Sequence, residues 1–137
     1  MMVKFNPIGT LVVGVVLTLM AWGTMIPQAR AQDAADPAQV VSEYLTSLVN
    51  GDTQVLSALI DGRMKRKSRA LALDPESYAS FLRKHYAGVQ TTVEEIIPDG
   101  DRMLARVRFD YPTSDTSIIE LVMTQVDGQW KITDETY

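Results

Sequence analysis

The chain has 137 residues, with 17 acidic and 13 basic side chains and a net charge of −4, which argues against nucleic acid as a partner. It contains no cysteine and one histidine, His85. That leaves no disulfide, no thiolate nucleophile and too few ligands for a His-built metal centre, so neither a metal nor a cofactor is expected.

Residues 1–31 read as an export leader. Lys4 supplies a positive start, Ile8 to Trp22 is uncharged and apolar, and Ala29-Arg30-Ala31 puts small residues at the two positions a signal peptidase reads. Cleavage before Gln32 would leave 106 residues, with 17 acidic against 11 basic side chains, in the periplasm or outside the cell. An uncleaved anchor is the alternative, because Ile8 to Ile26 is 19 residues without a charge. No cysteine follows the apolar stretch and no arginine pair precedes it, so neither lipid attachment nor the twin-arginine route is indicated. Residues 32–36 form a short polar linker, and 37–137 are enough for one domain.

Asp36-Pro37 opens a first helix with an N-cap acceptor followed by a proline whose missing N–H costs nothing there. Val40, Val41, Tyr44, Leu45, Leu48 and Val49 then form one helical stripe, so Tyr44 faces inward. Asn50-Gly51 stops this helix. Asp52 caps a second, carrying Val55, Leu56, Leu59 and Ile60, which ends at Asp61-Gly62. Asp74-Pro75 repeats the opening device for a third helix, with Tyr78, Phe81, Leu82 and His85 on one stripe and Gly88 as its stop. The intervening run Arg63, Lys65, Arg66, Lys67 and Arg69 reads as a solvated loop, or as a basic patch for anionic headgroups, a polyanionic glycan or an acidic partner.

After Gly88 the period changes to two. Val89, Thr91, Val93, Glu95 and Ile97 alternate with polar neighbours before a turn at Asp99-Gly100-Asp101. Met103, Ala105, Val107, Phe109 and Tyr111 form the second strand's inner face, a third strand runs about Ser117 to Val126, and Asp127-Gly128 marks a tight hairpin into QWKITDETY. A two-residue turn there pairs Gln125 with Trp130 and Met123 with Ile132, which makes Trp130 a core anchor beside Ile119, Leu121 and Met123. For that face to continue onto Phe109 and Val107, the loop after Tyr111 must hold an odd number of residues, and Pro112 to Thr116 is five. The expected architecture is α+β, with three N-terminal helices packed on one face of a curved four-stranded antiparallel sheet.

The motifs V-V-x-x-Y-L-x-x-L-x-x-G-D (from Val40) and D-G-x-W-K-I (from Asp127) occur in this order of elements. Together they resemble the nuclear-transport-factor-2-like superfamily over about residues 37 to 135, most closely its small exported bacterial domains. The resemblance implies a cone whose sheet wraps the helices and leaves a pocket at one end. It also implies that homodimers are plausible. In the ketosteroid-isomerase-like members a tyrosine at the place of Tyr44 donates to a developing oxyanion, and an Asp base follows the second helix. Here Gly62 to Leu73, GRMKRKSRALAL, offers no carboxylate, so that proton abstraction lacks its base.

Tyr44, Tyr78, His85, Glu95, Tyr111 and Asp134 are the candidate ligand contacts at the open end. Glu95 and Asp134 fall on the inward alternation, where a carboxylate is costly without a partner. Tyr44 and His85 also fit a purely structural role. Three readings follow. The first is an exported non-catalytic domain that binds a small apolar or amphipathic ligand, or a protein, through the open end. The second is an isomerase or dehydratase using Tyr44 with His85, Glu95 or Asp134. The third is an assembly module dimerising through Ile118, Val122, Val126 and Tyr137 on the outer sheet face.

Overall fold

The computed structural model describes residues 35–137; the expected leader, its cleavage site and most of the linker lie outside the described residues. Helix α1 spans Pro37–Asn50. The Asp36 carboxylate accepts from the Gln39 N–H at 2.8 Å, and Gly51 closes the helix at φ 68°. A Cβ at Gly51 would lie 2.7 Å from the Ala79 carbonyl oxygen, so this position needs glycine both for its backbone angle and for close approach to a later helix. Asp52 caps α2, Thr53–Leu59, by accepting from the Val55 N–H.

The basic segment is helical rather than a loop, as α3, Gly62–Lys67, and α4, Arg69–Leu73. Its apolar positions account for this: Met64 and Leu71 are buried and anchor the two short helices to the core, while the basic side chains stay outside. The described residues therefore contain five helices in place of the three expected. Helix α5, Pro75–His85, is capped by Asp74 through the Ser77 N–H. Its buried face is Ala79 and Leu82. Phe81, expected inside, is 54% exposed, and His85 lies at the surface rim.

Four strands follow, β1 Gln90–Asp99, β2 Arg102–Asp110, β3 Thr116–Val126 and β4 Gln129–Thr136, in the sheet order β1-β2-β3-β4. The β3–β4 turn is the expected two-residue one: Asp127 and Gly128 have φ 53° and 80°, the left-handed pair that matches sheet twist. Gln125 faces Trp130 and Met123 faces Ile132. Between β2 and β3 the loop holds five residues, with Asp110 facing Thr116. It begins one residue early, at Tyr111, which leaves the strand; its N–H donates to the Asp115 carbonyl at 2.9 Å. Because five is odd, Val107 and Ile119 still share the inner face.

Each edge strand carries one irregularity. In β1, Val93 faces Val107 and Glu95 faces Arg106, so Glu94 is an extra residue. In β4, Ile132 faces Met123 and Asp134 faces Val122, so Thr133 is extra. A single extra residue reverses the side on which every later side chain falls.

The inner sheet face and α1 make the core. Val41, Ala105, Val107, Leu121, Met123 and Ile132 are fully buried, and a side chain such as leucine or isoleucine contributes about 1.5–3 kcal/mol on burial. Trp130 is half-buried and packs against the core's edge rather than within it. On the outer face Ile118 and Val122 are separated by Glu120, which lies opposite Arg106.

Candidate functional site

A cavity of about 280 Å³ lies between the helices and the inner sheet face. Its floor is apolar, from Leu48, Leu56, Ile60, Met64 and Ile119. Its wall is aromatic. Tyr78, Phe81 and His85 come from one side of α5 at spacings of three and four, and Tyr86 follows at the helix end. Phe81 and His85 stack at 5.4 Å between ring centroids, with 18° between planes. His85 meets Tyr86 edge-on at 4.7 Å and Tyr111 at 5.9 Å, and Tyr86 meets Phe109 at 5.7 Å. His85 is thus the hub of an aromatic seam joining α5 to the end of β2.

Of the six candidate contacts, Tyr44, Tyr78, His85 and Tyr111 line this cavity and Glu95 and Asp134 do not. The two bulges explain both exceptions. The extra Glu94 turns Glu95 to the outer face opposite Arg106 and brings Ile96 to the inner side against Ala105. The extra Thr133 turns Asp134 to the side of Val122. There α3 meets it: Lys67 Nζ donates to Asp134 at 2.9 Å and Arg63 at 3.2 Å. The Lys67 hydrogen bond, then the Glu135 backbone N–H and the neighbouring charges, hold the Asp134 carboxyl below its ordinary range.

The same bulge puts Glu135 opposite Leu121, on the inner face, where it lines the cavity. Glu135 and Tyr86 are site residues that sequence reasoning missed, and Tyr137, expected on the outer sheet face, also lines the cavity because the bulge at Thr133 reverses the end of β4. Tyr86 was legible from its spacing of four from Leu82 and eight from Tyr78. Glu135 was not, because a bulge at Thr133 has no glycine or proline to announce it.

Tyr44 is only 3% exposed, so its ring belongs to the core. Among the described residues no side-chain nitrogen or oxygen is sealed from solvent without a hydrogen-bond partner. Tyr44 lines the cavity, and its hydroxyl makes no hydrogen bond with another described residue. Burial pushes the Tyr44 phenol well above its usual range, and the Glu135 carboxylate adds to the effect. Tyr86 is raised by the same two causes among others, burial leading. Both phenols therefore stay protonated donors at neutral pH.

Among the described residues no lysine or arginine lines the cavity. Among the described residues no group of three metal-ligating side chains converges. The basic residues not engaged by Asp134, namely Lys65, Arg66 and Arg69, border a separate shallow depression on α3 and α4 with Ala72 and Leu73.

No family model matches the chain, and no curated protein does. Solved structures do. An NTF2-like protein from Campylobacter jejuni, provisionally described as a transpeptidase, aligns with a TM-score of 0.54 at 17% identity, over 73% of this chain and 99% of that one. An NTF2-like protein of unknown function from Silicibacter pomeroyi aligns with a TM-score of 0.51 at 12% identity, over 72% of this chain and 87% of that one. Another, from Shewanella baltica, gives 0.50 at 11% identity, over 72% and 86%. Helices held against one face of a curved antiparallel sheet, with a cavity between them, give this chain the nuclear-transport-factor-2-like fold.

Proposed function

We propose that this chain is an exported, non-catalytic domain that binds one small amphipathic molecule in the cavity. The observation that carries the reading is the Tyr44 hydroxyl, a polar group on an otherwise buried side chain that lines the cavity and makes no hydrogen bond with another described residue. A core tyrosine normally finds a hydrogen-bond partner within the protein. At about 280 Å³ the cavity sits at the lower edge of the ~300–1,000 Å³ range of small-molecule sites, which favours a compact occupant. Apolar walls would hold its body, and the hydroxyls of Tyr44 and Tyr86 would orient its polar end. Export is supported by Lys4, the apolar run Ile8 to Trp22 and Ala29-Arg30-Ala31.

The test is native mass spectrometry of the protein purified from its own compartment. The expected result is a retained small molecule on the wild type, with reduced occupancy on Tyr44→Phe. An empty native protein whose Tyr44→Phe variant is unchanged in every ligand screen would refute the reading.

One observation favours a second reading. Glu135 brings into the cavity a carboxylate that Gly62 to Leu73 lacks, on the same side as a protonated Tyr44. A carboxylate base facing a phenol donor is an arrangement capable of isomerase or dehydratase chemistry. Turnover that disappears in both Tyr44→Phe and Glu135→Gln would establish it, and would replace His85, Glu95 and Asp134 as the base with Glu135.

A further inference from the structure

We propose that the occupant of this cavity is a cation, a small organic ammonium ion whose charged head sits beside the Glu135 carboxylate against the rings of Tyr78, His85, Tyr86 and Tyr111. The inference rests on the binding reading above and specifies the ligand's chemistry.

The two neighbouring carboxylates at the end of β4 supply the argument. Asp134 is neutralised by Arg63 and Lys67. Glu135 forms no ion pair among the described residues; its carboxylate accepts one hydrogen bond, from the Tyr137 hydroxyl at 3.2 Å. The nearby Lys67 ammonium donates to Asp134 and to the Glu135 backbone oxygen at 3.1 Å. Among the described residues the cavity is thus lined by one carboxylate and by no lysine or arginine. An anion entering would meet repulsion from Glu135, and a neutral molecule would leave the carboxylate without a counter-charge. A cation satisfies it.

The rings act in the same sense. His85, Tyr86 and Tyr111 line the cavity together, His85 packing edge-on to the two tyrosines at 4.7 and 5.9 Å. The negative faces of tyrosine rings attract a cation within about 6 Å. The direction in which the Tyr44 and Tyr86 phenols move agrees, since Glu135 follows burial among the causes that keep both neutral.

The test uses three molecules of nearly one shape and three charges, titrated into the full chain by calorimetry or NMR: choline, the uncharged 3,3-dimethylbutan-1-ol, and 3,3-dimethylbutyrate. Choline should bind about tenfold or more tighter than the alcohol, the scale of one desolvated cation–π and carboxylate contact, and the butyrate weakest. Glu135→Gln should remove the preference and leave the alcohol's affinity unchanged; Glu95→Gln, on the outer face, should alter neither. Equal binding of choline and the alcohol, or tightest binding of the butyrate, would overturn the cation assignment while leaving the cavity a binding site. Binding of none of the three would count against both. The comparison on the native protein decides the point even if Glu135→Gln does not fold.

Discussion

Strands β1 and β4 are the two edges of one sheet, and each has accommodated a single extra residue with opposite consequences for the site. At Glu94 the extra residue sends a carboxylate out, so Glu95 leaves the inner face and Ile96 takes its place. At Thr133 it brings a carboxylate in, so Asp134 goes to the α3 cations and Glu135 enters the cavity. The strands also differ in what covers them. Ile132 is fully buried, whereas Val93 and Ile97 are 39% and 43% exposed. In this sheet the face taken by a polar residue near a strand end is set by bulge position more than by residue type.

The largest expected effect tests the difference in cover. Ile132→Ala should destabilise the domain by about 3–4 kcal/mol through lost burial and a residual cavity, and Ile97→Ala by less than about 0.5 kcal/mol. Urea denaturation of the two variants checks this, and similar losses at both sites would mean that the edges are packed alike. A smaller effect belongs to Trp130, which sits before the bulge on β4. Its partial burial implies a loss of about 1–2 kcal/mol in Trp130→Ala, against the ~3–5 kcal/mol that follows when a core aromatic is truncated; the same denaturation series separates the two values.

Sequence pattern was sufficient wherever a residue type dictated geometry. Asp36-Pro37, Asp52 and Asp74-Pro75 started helices as caps must, and Asp127-Gly128 set the hairpin pairing of Gln125 with Trp130. The odd five-residue loop after β2 followed from requiring one continuous core face. Pattern failed where geometry had no residue to mark it. Neither TVEEII nor ITDETY contains a glycine, and strict alternation through each put Glu95 and Asp134 on the wrong side. In Gly62 to Leu73 the charges concealed two apolar positions seven apart, Met64 and Leu71, which are what make that segment helical. Four of the six expected contacts were therefore legible from helix stripes and the β2 alternation, and both carboxylates were misplaced.

Tyr44→Phe probes the cavity that the β4 bulge completes. It should change stability at neutral pH by no more than about 1 kcal/mol, since no hydrogen bond to another described residue is lost. The native phenol titrates above its ordinary value of about 10 because of burial, then Glu135. Stability tied to this proton is complete below pH ~10 and declines above it, as the unfolded chain deprotonates first. The Phe variant should accordingly lose less stability than the wild type between pH ~10 and ~11, as thermal melts would show. Identical alkaline loss in both proteins would put the Tyr44 hydroxyl in water.

The smallest effects compare the displaced carboxylates directly. Asp134 is held below its ordinary range, chiefly by the Lys67 hydrogen bond. Its contribution is therefore complete above pH ~4, the unfolded value, and is lost as pH falls through the lower folded one. Asp134→Asn should lower the melting temperature slightly at pH 7 and low salt, with the difference fading in high salt and below pH ~3. Glu95→Gln should leave the melting temperature at pH 7 and low salt nearly unchanged. A loss at Glu95 equal to that at Asp134 would contradict the placement of both residues.

The central claim is that Glu135, and not Asp134, lines the cavity together with Tyr44 and Tyr86. Nuclear Overhauser effects measured on isotopically labelled protein test this most directly. The account predicts cross-peaks from the Glu135 γ protons to the rings of Tyr44 or Tyr86, and none from the Asp134 β protons to either. Cross-peaks from Asp134 to those rings, with Glu135 seen only by outer-face neighbours such as Val122, would show that β4 continues without the bulge and would remove the carboxylate from the cavity.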